Sequence, residues 1–314
     1  MTTKILRQCY RRYGDEAPQT LELVEEEIEL KESTDVLIEV KAVALNYRDA
    51  NILNGTNPWA VSPSGTPCSD ASGIIIAVGR SVTRFAIGDK VCPIFDQQSI
   101  TGLEQSREWL GGEVDGVLAT HVIFPEEKVV KFPDHLSWAE AACLPCAGLT
   151  AWNALAYDGS LTAGKTVLIQ GTGGVSLMAL KLARTAGCKV IITSSSDAKL
   201  EAVEGLSGIG QISTINYLKN PNWDIEAVRI NGGVGADVVI ENGGTPSLLK
   251  SINAAAKRGV VSQVGYLGYQ NPQDLDGLLS GLIDKSITLS NMPTPTKEHV
   301  RKAKDWLAEN PTES

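Results

Sequence analysis

At 314 residues, with 28 Lys and Arg against 37 Asp and Glu, the chain carries a formal net charge of −9 and a pI near 5.0. That length allows two domains with separate cores, and that charge repels phosphate backbones, so no nucleic-acid partner is expected. No apolar run approaches the ~20 residues that span a bilayer, and the N-terminus lacks a signal-peptide core, so no membrane partner is expected either. Six scattered cysteines, at 9, 68, 92, 143, 146 and 188, lack the density of a secreted disulfide scaffold, and the chain reads as cytoplasmic and reduced.

Short β-type runs at residues 36–43, 73–78, 90–94 and 121–124 are separated by Gly, Pro and Asn. They predict a mostly antiparallel, barrel-like unit over residues 1–130. The texture then changes, with a boundary inside 125–140. Ser137 with Glu140 three residues on is a capping box that opens a helix. An α/β rhythm follows: strand 166–170, helix 175–186, strand 189–193, helix 197–205, strand 238–241, helix 247–256 and strand 260–264. Such alternation predicts an α/β unit, a doubly wound parallel sheet, over residues 131–295. Residues 286–289 read as its edge strand, and 296–314 as a C-terminal helix.

The most informative stretch runs from Thr166 to Ser176, where an apolar strand passes through Gly171, Thr172, Gly173, Gly174 and Val175 directly into a helix. Gly171 permits the tight turn, and Gly173 lets the backbone approach a pyrophosphate. Ser176 keeps the helix close to the strand. Amides at a helix N-terminus, with the positive end of its dipole, then hold an anion. A plain structural turn is the alternative, but the strand, turn, helix and second strand occur in the order a dinucleotide site requires.

The end of the second strand indicates which dinucleotide. NAD enzymes place Asp or Glu about 20 residues past the glycines, to bond the ribose 2′-hydroxyl. This chain has Ser194, Ser195 and Ser196 there, with Lys199 one turn on. Hydroxyls and a cation suit a 2′-phosphate, which a carboxylate would repel, so the expected cofactor is NADPH. Asp197 reads as the N-cap of the next helix rather than as a ribose ligand.

With these features, Asn46-Tyr47-Arg48-Asp49, residues 85–91 (Phe-Ala-Ile-Gly-Asp-Lys-Val), residues 144–152 and Ile215-Asn216-Tyr217 make the sequence resemble the medium-chain dehydrogenase/reductase superfamily. Within it, the zinc-independent, quinone-oxidoreductase-like branch is the nearest in pattern. The resemblance implies a GroES-like β-barrel domain beside a Rossmann domain, with the nicotinamide in the cleft between them. It also implies Thr150 beside the cofactor, Tyr217 joining Ser194 and Lys199 at the 2′-phosphate, and Asn242, Gly265 and Tyr266 bordering the nicotinamide. Tyr217 could instead be a core aromatic, and Gly243-Gly244 a plain turn. The resemblance further implies a homodimer paired through residues 286–289, and strands beyond the helix Lys297–Glu309 that this shorter chain does not carry.

Zinc-dependent relatives need catalytic Cys and His ligands and a four-Cys lobe. Asn46 stands at the first ligand position, Cys68-Ser69-Asp70 in the region of the His, and residues 96–111 contain no cysteine. Neither ligand set can be assembled, and Cys143-Leu144-Pro145-Cys146 lacks a second pair. His121, His135 and His299 are isolated. No metal is expected.

Without a Lewis acid, the substrate must be polarised by hydrogen bonds. Asn46 is the candidate donor and Tyr47 a candidate proton source or a packing aromatic. Arg48 is an anion binder or a partner of Asp49. Where several relatives carry a catalytic Tyr, Gly55-Thr56-Asn57-Pro58 places Asn57. Two functions therefore stay open: an NADPH-dependent reductase of a small-molecule carbonyl, quinone or activated alkene, and an NADP(H)-binding protein with little catalysis.

Overall fold

The computed structural model of the chain describes residues 3–14, 16–156, 161–206, 212–291 and 297–309. The last residues, on which the reading of a shortened C-terminus falls, lie outside these. Two compact units result, one over Met1–Leu149 that also includes the helix Lys297–Glu309, the other over Thr150–Pro293.

In the first unit β1 (Thr3–Tyr13) and β2 (Thr20–Leu30) pair antiparallel along their whole length. Then come β3 (Asp35–Ala44), α1 (Tyr47–Leu53), β4 (Asp70–Val78), β5 (Lys90–Pro93), β6 (His121–Pro125), β7 (Val129–Lys131) and α2 (Trp138–Ala142). These strands form a curled antiparallel sheet in the order β6-β3-β4-β5-β7, the GroES-like half-barrel. Register shifts place one extra residue in β4, Ile76 opposite Leu37 and Ile38, and one in β3, Lys41 between Val40 and Ala42, and an extra residue sharpens local twist. The concave side is filled by Val36, Ile38, Ile75, Val91, Val122 and Val129, each almost wholly buried. Every such side chain contributes about 1.5–3 kcal/mol on leaving water. Ser137 caps α2 by accepting from the Glu140 amide, and Glu140 accepts from Ser137 in return.

The second unit begins with α3 (Leu149–Ala156), whose first residue still belongs to the first unit. It continues through β8 (Thr166–Gln170), α4 (Gly174–Thr185), β9 (Lys189–Ser194), α5 (Asp197–Glu204), β10 (Ile212–Asn216), α6 (Trp223–Ile230) and β11 (Ala236–Glu241). After these come α7 (Thr245–Ala254), β12 (Ala255–Gln263), α8 (Leu278–Lys285) and β13 (Thr288–Asn291); α9 (Lys297–Glu309) is counted with the first unit. All neighbouring strands are parallel, in the order β10-β9-β8-β11-β12-β13. The order reverses between β8 and β11, which makes the ends of those two strands the switch point of a doubly wound sheet. All five residues of β8 are buried, as a strand covered on both faces must be.

Two of the elements read from the sequence are displaced: α7 and β12 both start earlier than the periodicity indicates. Pro246 fixes the first turn of α7, and Ala255 adopts extended backbone (φ −71°, ψ 146°) to pair with Ala236. Among the described residues no helix is long and apolar enough to cross a membrane, and no disulfide joins any of the six cysteines.

Candidate functional site

The glycine turn links β8 to α4. Gly171 sits at φ +76°, in the left-handed region open to glycine at little cost. Gly173 occupies the N-cap of α4 in extended backbone, and no side chain caps the helix's first amides. A Cβ built on Gly173 meets nothing within 4 Å, so open space lies above those amides. Ser176 is buried, and its Oγ donates to the Gln170 carbonyl at 2.8 Å, closing the helix onto the strand. Uncapped amides facing open space fit a pyrophosphate, and these residues fit a dinucleotide. Thr172 and Val175 flank the turn, half-buried.

At the end of β9, Ser194 is buried, its carbonyl accepts from the Tyr217 amide at 3.1 Å, and its Oγ accepts from the Ser196 amide. Ser195 and Lys199 are exposed. Tyr217 lies beside this cluster at 38 % exposure, so it is not a core aromatic. The N-cap of α5 is Ser196, not Asp197: Ser196 takes extended backbone and accepts from the Lys199 amide. Asp197 is instead the first helical residue, where it binds Lys219 at 2.5 Å and Asn216 at 2.6 Å. The hydrogen bond from Lys219, with that from Asn216, holds its carboxyl below the usual range. Lys219 follows Tyr217 by two residues, and a basic residue so placed was the available signal for it.

Asn242 turns inward: its Nδ2 donates to the Gln170 carbonyl at 2.8 Å and reaches Ser176 Oγ at 3.4 Å. Its backbone amide and carbonyl are bonded to Gln170 and Leu267, so its side-chain carbonyl is the group left to face a ligand. Gly265 packs on the Asn242 backbone, where a Cβ would come within 3.1 Å of the Asn242 oxygen, and Tyr266 is half exposed. Thr150 lies in the first turn of α3, half-buried. The sequence reading passed over Glu241 and Gln170, which are the most heavily hydrogen-bonded side chains at this switch point. An acid closing an apolar strand was the signal.

In the GroES-like unit, Asn46 is the N-cap of α1, and Asp49 accepts from its amide at 2.7 Å. The Asn46 Nδ2 donates to the carboxyl of Asp70. Asp70 opens β4 with no exposure at all, and burial pushes its carboxyl up to about 8. The Asp49 charge adds to this, while the Asn46 bond and the Arg48 charge oppose it. Burial likewise pushes up the Asp49 carboxyl and the Cys68 thiol. Tyr47 is 61 % exposed, with its phenol free of the core.

Arg48 does not pair with Asp49, whose carboxylate is engaged at the helix cap. Its guanidinium lies against Phe95 and Trp109, 5.3 and 5.4 Å from the ring centres, and donates to the Leu110 carbonyl at 2.9 Å. The nearest carboxylate is Glu113, at 3.9 Å. Gly112 leaves the room it needs, since a Cβ there would strike its Nη2. Arg48 thereby pins the loop around Trp109. Asn57 donates to the Trp59 carbonyl at 2.8 Å.

The Asn46 amide is bound to Asp70, burial pushes up the Cys68 thiol, and no three His, Cys, Asp or Glu among the described residues converge on a point. Cys143 donates to the Ala139 carbonyl.

A family model for the alcohol dehydrogenase GroES-like domain matches residues 32–134, and one for zinc-binding dehydrogenases matches residues 174–309. A zinc-type alcohol dehydrogenase-like protein of Schizosaccharomyces pombe is 38 % identical over 261 residues, 81 % of this chain and 75 % of that protein. Human quinone oxidoreductase is 26 % identical over 288 residues, 90 % of this chain and 80 % of its own. A solved alcohol-dehydrogenase-type protein of Sinorhizobium meliloti superposes with a TM-score of 0.86 at 33 % identity, over 97 % of this chain and 89 % of that one. A GroES-like unit and a doubly wound nucleotide-binding unit define a two-domain dehydrogenase fold. The chain belongs to the medium-chain dehydrogenase/reductase superfamily and is an oxidoreductase of the alcohol dehydrogenase and quinone oxidoreductase kind.

Proposed function

We propose that this oxidoreductase uses NADPH to transfer hydride to a small carbonyl, quinone or activated alkene, without a metal. The observation that carries the cofactor choice is the end of β9. Ser194 and Ser195 stand where an NAD enzyme holds a carboxylate, and the following acid, Asp197, is tied to Lys219 and Asn216. A 2′-phosphate there would meet serine hydroxyls, the Tyr217 phenol and the Lys199 ammonium in charge-assisted hydrogen bonds.

The cofactor, when bound, supplies the hydride. The chain's own residues hold and polarise. Amides of Gly173, Gly174 and Val175 take the pyrophosphate. Asn46 gives one Nδ2 hydrogen to Asp70 and keeps the other for a substrate oxygen, so Asp70 fixes the direction of that donor. Tyr47, exposed at the same corner, offers a proton. The metal-free reading is supported by the bond of Asn46 to Asp70 and by the burial of Cys68, whose thiol is pushed up, with no cluster of three candidate ligands among the described residues.

NADPH and NADH titrated against the parent, Lys199→Ala and Ser194→Asp proteins test the cofactor choice. The parent prefers NADPH, and Lys199→Ala weakens NADPH about tenfold while NADH is unchanged, one charge-assisted contact being lost. Ser194→Asp turns the preference towards NADH. Equal losses of both nucleotides would defeat the reading. Oxidation of NADPH is then followed with a panel of quinones and enones; tight binding with no turnover would favour the nucleotide-binding protein.

The same reading includes a homodimer through one edge of the parallel sheet. Among the described strands β13 is one of its two edges, Leu289 on it is 38 % exposed, and α8 leaves Leu279 and Ile283 at 73 % and 75 %. Unpaired edges and apolar patches attract a partner, and a two-fold axis would satisfy both. Sedimentation of Ile283→Lys is expected to give a monomer where the parent gives a dimer.

A further inference from the structure

Glu241, the last residue of β11, is wholly buried yet surrounded by hydrogen-bond donors. Its Oε1 accepts from the amides of Gly243 at 2.7 Å and Gly244 at 2.9 Å and from Ser247 Oγ at 2.6 Å. Its Oε2 accepts from Gln170 Nε2 at 2.6 Å and from Ser251 Oγ. Gln170, the last residue of β8, is the mirror of this arrangement. Its Oε1 accepts from the amides of Asn242 at 2.9 Å and Gly243 at 3.2 Å, and its Nε2 also reaches Ser251 Oγ at 2.8 Å.

These two residues immediately precede the loops on either side of the switch point. One loop is the glycine turn. The other, Asn242-Gly243-Gly244, has Gly244 at φ +85°. It is also bonded to the next loop, by the Leu267 amide to the Asn242 carbonyl at 3.0 Å and the Gly268 amide to the Gly243 carbonyl at 2.9 Å. Dinucleotides lie across such a crevice, with one mononucleotide on each half of the sheet. The adenosine half belongs to β8, β9 and β10, and the nicotinamide half to β11, β12 and β13.

Resting on the proposed use of NADPH, we infer that Glu241, with Gln170, is a positioning residue for the nicotinamide half of the cofactor. Its carboxylate gathers the amides of one loop, and its bond to Gln170 sets that loop's height against the glycine turn. Pairing carboxylate with carboxamide is essential, because two carboxamides would place two NH2 groups face to face in a buried site.

That chemistry gives a specific test. Glu241→Gln creates the donor–donor clash. The exchange Gln170→Glu with Glu241→Gln restores every bond with the roles inverted: the new carboxylate at 170 accepts from position 241, Ser251 and the two amides, while the carboxamide oxygen at 241 keeps its three donors. NADPH and adenosine 2′,5′-bisphosphate are titrated against the parent, the single variant and the exchange, with thermal melting alongside. The single variant is expected to bind NADPH at least tenfold more weakly and the bisphosphate within threefold of the parent. The exchange should recover NADPH affinity to within threefold. Unchanged NADPH affinity in the single variant, equal loss of both ligands, or an exchange that melts like the parent and still binds weakly would each overturn the inference. A parent that binds neither NADPH nor NADH would instead overturn the cofactor reading, so the two failures are distinct.

Discussion

Gly173→Val is expected to abolish dinucleotide binding while leaving the melting temperature nearly unchanged. Backbone at this residue is extended, φ −81° and ψ −176°, which any residue adopts, and a Cβ there meets no protein atom within 4 Å. The fold therefore has no objection to the side chain. The N-cap loses little, since glycine caps only through backbone and its replacement costs about 1 kcal/mol or less. The branched side chain occupies the space above the α4 amides, however, and keeps a pyrophosphate from reaching them. A hundredfold or greater loss of affinity, about 3 kcal/mol, is expected for NADPH and NADH alike. Gly171→Ala should behave the opposite way: at φ +76° the new Cβ strains the backbone by about 1–2 kcal/mol, so the melting temperature falls. Calorimetric titration and thermal melting of both variants check this. If Gly173→Val binds nucleotide like the parent, the glycine turn is not the site.

The second large effect concerns pH. Asp70 is buried against Asn46, and its carboxyl is pushed up to about 8 from an ordinary value of 3.8, chiefly by burial. Between those two values the folded chain holds a proton that the unfolded chain has released. Stability contributed by this group is therefore complete below about pH 4 and is lost as pH rises towards 8. The slope can reach about 1.4 kcal/mol per pH unit, so about 2–4 kcal/mol should disappear between pH 5 and pH 8. Asp49, raised in the same direction, adds a smaller part; Arg48 opposes, and the Cys68 and Cys92 thiols stay protonated across the range. Asp70→Asn keeps a carbonyl oxygen for Asn46 and removes the titration. Its denaturation curve should be flatter from pH 5 to 8, and it should exceed the parent in stability at pH 8. Parallel pH profiles for the two proteins would show that Asp70 does not carry this dependence.

Local features of the chain were legible. The passage from strand through Gly171 and Gly173 into a helix is read from adjacent residues, because φ freedom, a missing Cβ and an uncapped helix end are properties of the segment itself. The buried strands of the parallel sheet show as continuous apolar runs for the same reason. The hairpin of β1 and β2 escaped notice. The inner face of β2, Val24, Ile28 and Leu30, is interrupted by Glu26, so its alternation is weak, and ion pairs such as Lys4 with Glu27 and Arg7 with Glu26 join it to β1. Asp197 as an N-cap was wrong by one position, since Ser196 can cap equally well and only the backbone decides between them.

The chemistry of the site divides along the same line. By itself the sequence determined that a strand passes through glycines straight into a helix, and that serines close and follow β9 where an acid is usual in NAD enzymes. Only the tertiary structure decided what those side chains do. Asn46 faces Asp70 from 24 residues away, Arg48 faces Leu110 from 62, and Gln170 faces Glu241 from 71. Hydrogen bonds between residues that distant depend on sheet order and register, which no local pattern records, whereas a turn and its helix are bonded to their own neighbours in the chain.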